Sequence, residues 1–130
     1  RASLKATDRV LSAYKNAQDK RILLMETGMP TEKVIFEHDL PVIYVVSPTG
    51  SGQWNVKAVP PERGAFGQRI SLPEAWGGLN GQDLAAACGV ADAVFAHPAR
   101  FICGAASREG ALAMALQALK IDAELKPQQS

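Results

Sequence analysis

The side chains best placed to do chemistry gather in one stretch, Arg100-Phe101-Ile102-Cys103-Gly104-Ala105-Ala106-Ser107-Arg108-Glu109-Gly110. A strand runs into a small-residue loop, and the loop runs into a helix start. Such a loop turns backbone N–H groups outward at the positive end of the helix dipole. That arrangement binds anions, and Arg100 and Arg108 would add charge beside it. The same small residues would equally let the helix pack tightly on a sheet. The pattern is not a Walker A loop, because no Gly-Lys-Ser/Thr follows.

His97 follows the apolar strand Ala93–Ala96 and precedes Pro98. Strand ends are where sites are often assembled; the plainer role is a turn histidine satisfied by a backbone carbonyl. Arg69 stands between Gln68 and the turn Leu72-Pro73-Glu74-Ala75-Trp76, as a phosphate ligand or as a salt-bridge partner. Cys103 and His97 form an imaginable nucleophile pair, without a third group to orient it. Cys88 reads as a small buried hydrophobe, and His38, beside Asp39, as a surface residue. Trp54 reads as a core anchor, and Trp76 as a residue lying over the sheet edge. The acids are scattered, and no HxxxH, DxD or paired-carboxylate motif marks a metal site in this chain.

These residues need elements to hold them. Residues 3–20 read as a surface helix capped by Ser3, with Leu4, Val10, Leu11 and Tyr14 on its apolar face. Arg21–Thr27 is a short buried strand around Ile22-Leu23-Leu24-Met25. Pro30 opens a short helix carrying Val34, Ile35 and Phe36. Pro41–Ser47 is the strongest strand signal, β-branched and continuous. The Pro48–Gly52 turn joins it to Gln53–Val59, where Trp54, Val56 and Ala58 alternate with Asn55 and Lys57. Pro60–Gly67 is loop, and a helical turn surrounds Pro73. Gln82–Cys88 is a helix stopped by Gly89. Ala93–Ala96 and Arg100–Cys103 are strands. Ser107 caps a last helix running to about Lys120, with Leu112, Leu116 and Leu119 as its core stripe. Residues 121–130 read as a frayed tail. The fold class is therefore α+β, or α/β-like: a mixed, partly antiparallel sheet of about five strands covered by helices.

The chain has 130 residues, which suits a single domain over 1–130. It is 47% hydrophobic and 21% charged, in the soluble globular range. With 14 Lys+Arg against 13 Asp+Glu, the net charge of +1 announces neither a nucleic-acid nor a membrane partner. Two cysteines make no disulfide framework, and no run of ~18 apolar residues marks a membrane span. The chain begins at Arg1, directly in helix-like sequence, and reads as a C-terminal fragment of something longer.

Four ordered pieces carry a resemblance: Gln53-Trp54-Asn55-Val56-Lys57-Ala58-Val59-Pro60; Arg69-Ile70-Ser71-Leu72-Pro73-Glu74-Ala75-Trp76-Gly77-Gly78-Leu79; Gly89 through His97; and Arg100 through Ala115. Together they resemble the C-terminal part of the melanocyte-proliferating-gene (MYG-type) family. Its members are often labelled "metal-dependent protein hydrolase", and it is similar to the DHH phosphoesterase superfamily. The match covers residues 40–119 well and 1–39 more loosely. The resemblance implies a sheet like a DHH-associated second domain, and a catalytic Mn or Mg site in an N-terminal domain that this chain lacks. This chain would then hold the substrate, an RNA or nucleotide end, across the cleft between the two domains. The matching positions are His97, Arg100, Gly104, Ser107 and Arg108, with Arg69 as a further substrate contact. The loop has one glycine where related enzymes tend to have a pair, and Pro98-Ala99 stands where a Gly-containing turn is expected.

The expectation is thus the substrate-binding domain of a cytoplasmic, metal-dependent phosphoesterase, inactive alone, with homo-oligomers possible. The alternative is a non-catalytic interdomain or oligomerisation module without its own ligand. A third reading takes the protein hydrolase label literally, with Cys103 and His97 as a peptidase pair.

Overall fold

A computed structural model describes residues 2–125, with side chains from Thr7 onward. The expectations for Ser3 and Leu4 as cap and face residues, and for 126–130 as tail, lie outside the described residues. The order is α1 (Ala2–Asn16), β1 (Ile22–Leu24), α2 (Glu32–Glu37), β2 (Tyr44–Pro48), β3 (Trp54–Ala58), a 3-10 turn (Glu74–Trp76), α3 (Gly81–Cys88), β4 (Ala93–Ala96), β5 (Ile102–Ala105) and α4 (Arg108–Leu125).

The strands form one sheet in the order β1-β2-β3-β5-β4. β1 runs parallel to β2, and every other pair is antiparallel. The expected mixed, helix-covered α+β sheet is what forms. The β2–β3 hairpin pairs Tyr44 with Ala58 and Val46 with Val56, so the alternation read in the sequence sets the register.

Period-two alternation sorts the side chains onto two faces. On the first face Tyr44, Val46, Val56, Ala58, Cys103 and Ala105 form one buried cluster with Trp76, Leu84 and the inner side of α4. On the second face Leu23 and Val45 join Val10 of α1 and Val34 and Ile35 of α2. The second-face residues of β3, β5 and β4 belong to neither cluster: Asn55, Lys57, Ile102, Gly104 and Phe95. The second face is therefore packed by helices over β1 and β2; over the other three strands it carries no such cluster, with Asn55, Phe95 and Ile102 half-buried, Gly104 buried and Lys57 exposed.

Five expectations change in detail. The first helix stops at Asn16 rather than near residue 20, because the Lys20 ammonium donates to the carbonyls of Tyr14 and Lys15 (2.7 Å each) and ties off its C-terminus. Strand β5 begins at Ile102, not Arg100, because Arg100 takes a left-handed φ of 65° and extends the turn that starts at Pro98. Helix α4 turns Ala111, Met114, Ala115, Ala118 and Leu119 inward, with Leu112 half-buried and Leu116 50% exposed. Small side chains let the helix axis approach the sheet closely, so the alanines rather than the leucines define the inner stripe. α4 also continues to Leu125, past its expected end near Lys120. Trp76 is wholly buried in the core rather than laid over the edge.

Candidate functional site

The shift of β5 changes the anion-loop expectation. Gly104 and Ala105 lie inside the strand, paired with Asn55 and Trp54, so the connection to α4 is only Ala106 and Ser107. Gly104 is covered: a Cβ there would come within 2.6 Å of the Phe95 ring and 2.7 Å of the Asn55 carboxamide oxygen. Its missing side chain makes room for those two residues.

The start of α4 is capped from within. Ser107 Oγ accepts the Gly110 N–H at 3.0 Å, as a Ser N-cap does, and donates to Asp92 Oδ2 at 2.5 Å. The Ala106 N–H donates to the Asp92 carbonyl, fixing the two segments together. The Asp92 carboxylate lies so close to Gly110 that any Cβ there would strike it. The positive end of the helix thus faces a carboxylate of the chain itself. Arg108 stands outside this cap, exposed, and pairs with Glu26 (3.2 Å) and Glu109 (3.4 Å).

His97 and Arg100 sit at the other end of β5, in the β4–β5 turn. Their separation from Ser107 spans the strand, about 13 Å at ~3.3 Å per residue. The exposed His97 accepts the Ala99 N–H on Nδ1 at 3.0 Å, and its ring meets Phe101 with centroids 4.8 Å apart. Arg100 donates from Nε to the Leu72 carbonyl at 2.8 Å, and its own carbonyl accepts the Leu72 N–H. Arg69 donates to the carbonyls of Leu40 (2.9 Å) and Val42 (2.7 Å), with its guanidinium over the Phe36 ring at 5.0 Å. So Gly104, Ser107 and Arg108 share one end of β5, His97 and Arg100 share the other, and Arg69 fastens the entry to β2.

The Cys103–His97 pair does not form. Cys103 is fully buried on the first face, and burial, reinforced by the neighbouring Cys88 thiol, pushes its pKa up to about 12. Such a thiol is a core hydrophobe rather than a nucleophile. Burial likewise raises Cys88. Among the described residues no three His, Cys, Asp or Glu side chains converge as metal ligands, so the donors present do not fit a catalytic metal.

The open half of the second face carries what the motif reading passed over. The Asn55 Oδ1 is shielded from water and has no hydrogen-bond partner. Beside it Lys57 is exposed. The strand then leads into a groove of about 480 Å³ between β3 and α2, which Lys57, Lys33 and Arg63 all line. The signal was present in the alternation of Asn55 and Lys57 opposite Trp54, Val56 and Ala58. What the sequence hid was that α2 brings Lys33 to the same place.

Comparison with known proteins sets this geometry in context. The sequence model of a family described as "MYG1_exonuc: Uncharacterised protein family (UPF0160)" matches residues 1–119. The chain is 36% identical over 115 residues to the MYG1 protein C27H6.8 of Caenorhabditis elegans, covering 80% of this chain and 34% of that protein. It is 36% identical over 91 residues to the MYG1 exonuclease of Homo sapiens, covering 70% of this chain and 22% of that protein. It is 38% identical over 104 residues to a MYG1 protein of Dictyostelium discoideum, covering 75% and 32%. The chain spans about a third or less of the length of these relatives. No solved structure matches it. Among the described residues no helix is long and apolar enough to cross a membrane.

Proposed function

The chain belongs to the MYG1 family, UPF0160, and on that premise we propose that it is the substrate-holding part of a metal-dependent phosphoesterase of the DHH type, an exonuclease acting on the end of an RNA or a related nucleotide chain. The relatives named exonucleases support the reaction class. In this proposal the Mn or Mg centre belongs to a catalytic domain outside these residues, and that domain is the chain's first partner. The chain's own task is to bind and orient the phosphodiester, which lowers the barrier by positioning rather than by bond-making. The protein works in the cytoplasm; the free thiols of Cys88 and Cys103 fit a reducing compartment.

The observation that carries this reading is the open half of the second sheet face. A sheet face normally packs against another layer. Here three strands carry no buried cluster on theirs; it holds a water-shielded, unpartnered amide oxygen and, beside it, an exposed lysine. Substrate and catalytic domain meeting over β3, β5 and β4 would supply the missing layer. The test uses end-labelled single-stranded RNA with Mn²⁺ or Mg²⁺. The complete protein should shorten the RNA from one end, and the 130-residue chain should bind it without cutting. Turnover by this chain alone would contradict the assignment.

A second reading, an interaction module, draws support from a groove of about 1150 Å³ along the β1 edge, lined by Leu24, Leu112 and the half-exposed Leu116 between α1 and α4. If this surface holds a second copy, sedimentation should show a dimer that Leu116→Glu dissolves. A monomer at high concentration would dismiss the homo-oligomer.

A further inference from the structure

We propose that the groove between α2 and β3 is a phosphate-binding site for single-stranded nucleic acid, with Lys33, Lys57 and Arg63 as its cations and Phe66 as a stacking surface for a base. The inference rests on the nuclease reading above and gives that reading a location.

Charge is the first argument. The whole chain carries a net charge of only +1. Yet three of its cations line this one groove, against a single acid, Glu32. Among the described residues the ion pairs involve Arg21 and Arg108, and none involves Lys33, Lys57 or Arg63. Cations that converge without carboxylate partners leave a local positive potential, which draws an anion. The β1-edge groove shows the contrast: there Asp8, Asp19, Glu26 and Glu109 outnumber Arg9 and Arg108.

Shape is the second. A volume of about 480 Å³ lies within the usual range for small-ligand sites, ~300–1,000 Å³. The hydroxyl residue Ser47 lines it, and the half-buried Met29 and exposed Pro30 provide accessible apolar wall. Phosphate oxygens would meet the cations while the sugar lies on that wall and the base reaches Phe66.

The aromatic is the third. Phe66 is 100% exposed, three positions along the same loop from Arg63, with Gly64 and Gly67 on either side at positive φ. A fully exposed phenyl ring contributes nothing to this chain's core. Cations tracking a backbone beside an aromatic platform is how single strands are held without sequence preference.

The test titrates the 130-residue chain with a fluorescein-labelled phosphorothioate hexanucleotide, which resists cleavage. Lys57→Glu with Arg63→Glu should weaken binding at least tenfold, and Phe66→Ala about tenfold. The exposed Lys120→Glu, on the other side of the sheet, should leave affinity within twofold. The logarithm of affinity should fall with that of salt at a slope near −2, as three contacts on a single strand predict. Unchanged affinity in the folded double variant would overturn the site. Binding of inorganic pyrophosphate but not the hexanucleotide would overturn its nucleic-acid assignment. Failure here, with the complete protein still cutting RNA, would refute the groove and leave the nuclease reading standing; no cutting by the complete protein would refute that reading instead.

Discussion

The cap of α4 offers the sharpest energetic test. Ser107 Oγ accepts the Gly110 N–H and donates to Asp92 at the same time. Ser107→Ala removes both bonds. Loss of a serine N-cap costs ~1 kcal/mol. The stranded Asp92 carboxylate, deprived of a donor in a half-buried place, adds about another 1 kcal/mol. The sum, about 2 kcal/mol, corresponds to a fall in Tm of roughly 8 °C for a domain near this size. Asp92→Ala should cost ~1–2 kcal/mol, through the same hydrogen bond and the lost charge at the helix start. Because the two share one bond, the double variant should fall short of additivity by ~1 kcal/mol. Urea titrations of the four proteins measure this. Strict additivity, or shifts under 1 °C, would refute the lock. Asp92→Ala should also uncover the α4 amides, so that sulfate at tens of millimolar moves the NMR signals of residues 108–110 in this variant and not in the parent.

Two other predictions concern stability. The Cys103 thiol is raised from 9.0 to about 12 in the fold, so between those values the unfolded chain has lost a proton that the folded chain keeps. Stability is therefore fully present below pH 9 and declines above it, by at most ~1.4 kcal/mol per pH unit from this group. Cys103→Ala should flatten that alkaline decline in the denaturant midpoint, and an unchanged slope would show that the thiol does not titrate as described. Arg69→Ala should cost ~1.5–3 kcal/mol, because it leaves the Leu40 and Val42 carbonyls without their charged donor. A loss below 0.5 kcal/mol in thermal unfolding would mean that Arg69 does not fasten the entry to β2.

The element order and the faces of β2 and β3 were legible because alternation and β-branching are local signals. Tyr44, Val46, Val56 and Ala58 announce their face without help from distant residues. The Ser107 cap was legible for the same reason. The start of β5 was not, since nothing in Pro98-Ala99-Arg100 declares that the arginine takes a positive φ. That displacement moved Gly104 from a loop into a strand; His97 and Arg100 stand before β5, and Ser107 and Arg108 after it. Asp92 was missed because its partner, Ser107, is distant in sequence and meets it only through the β4–β5 pairing. Lys33 and Lys57 lie on different elements, and only the packing of α2 beside β3 makes them neighbours.

The central claim is that this chain grips nucleic acid on the second face of its sheet and not at the start of α4. Backbone amide NMR with an unlabelled phosphorothioate hexanucleotide tests it most directly. Binding on that face should shift residues 31–33, 55–59 and 63–66, with residues 107–110 still. Shifts confined to 107–110, or none anywhere at millimolar oligonucleotide, would contradict it.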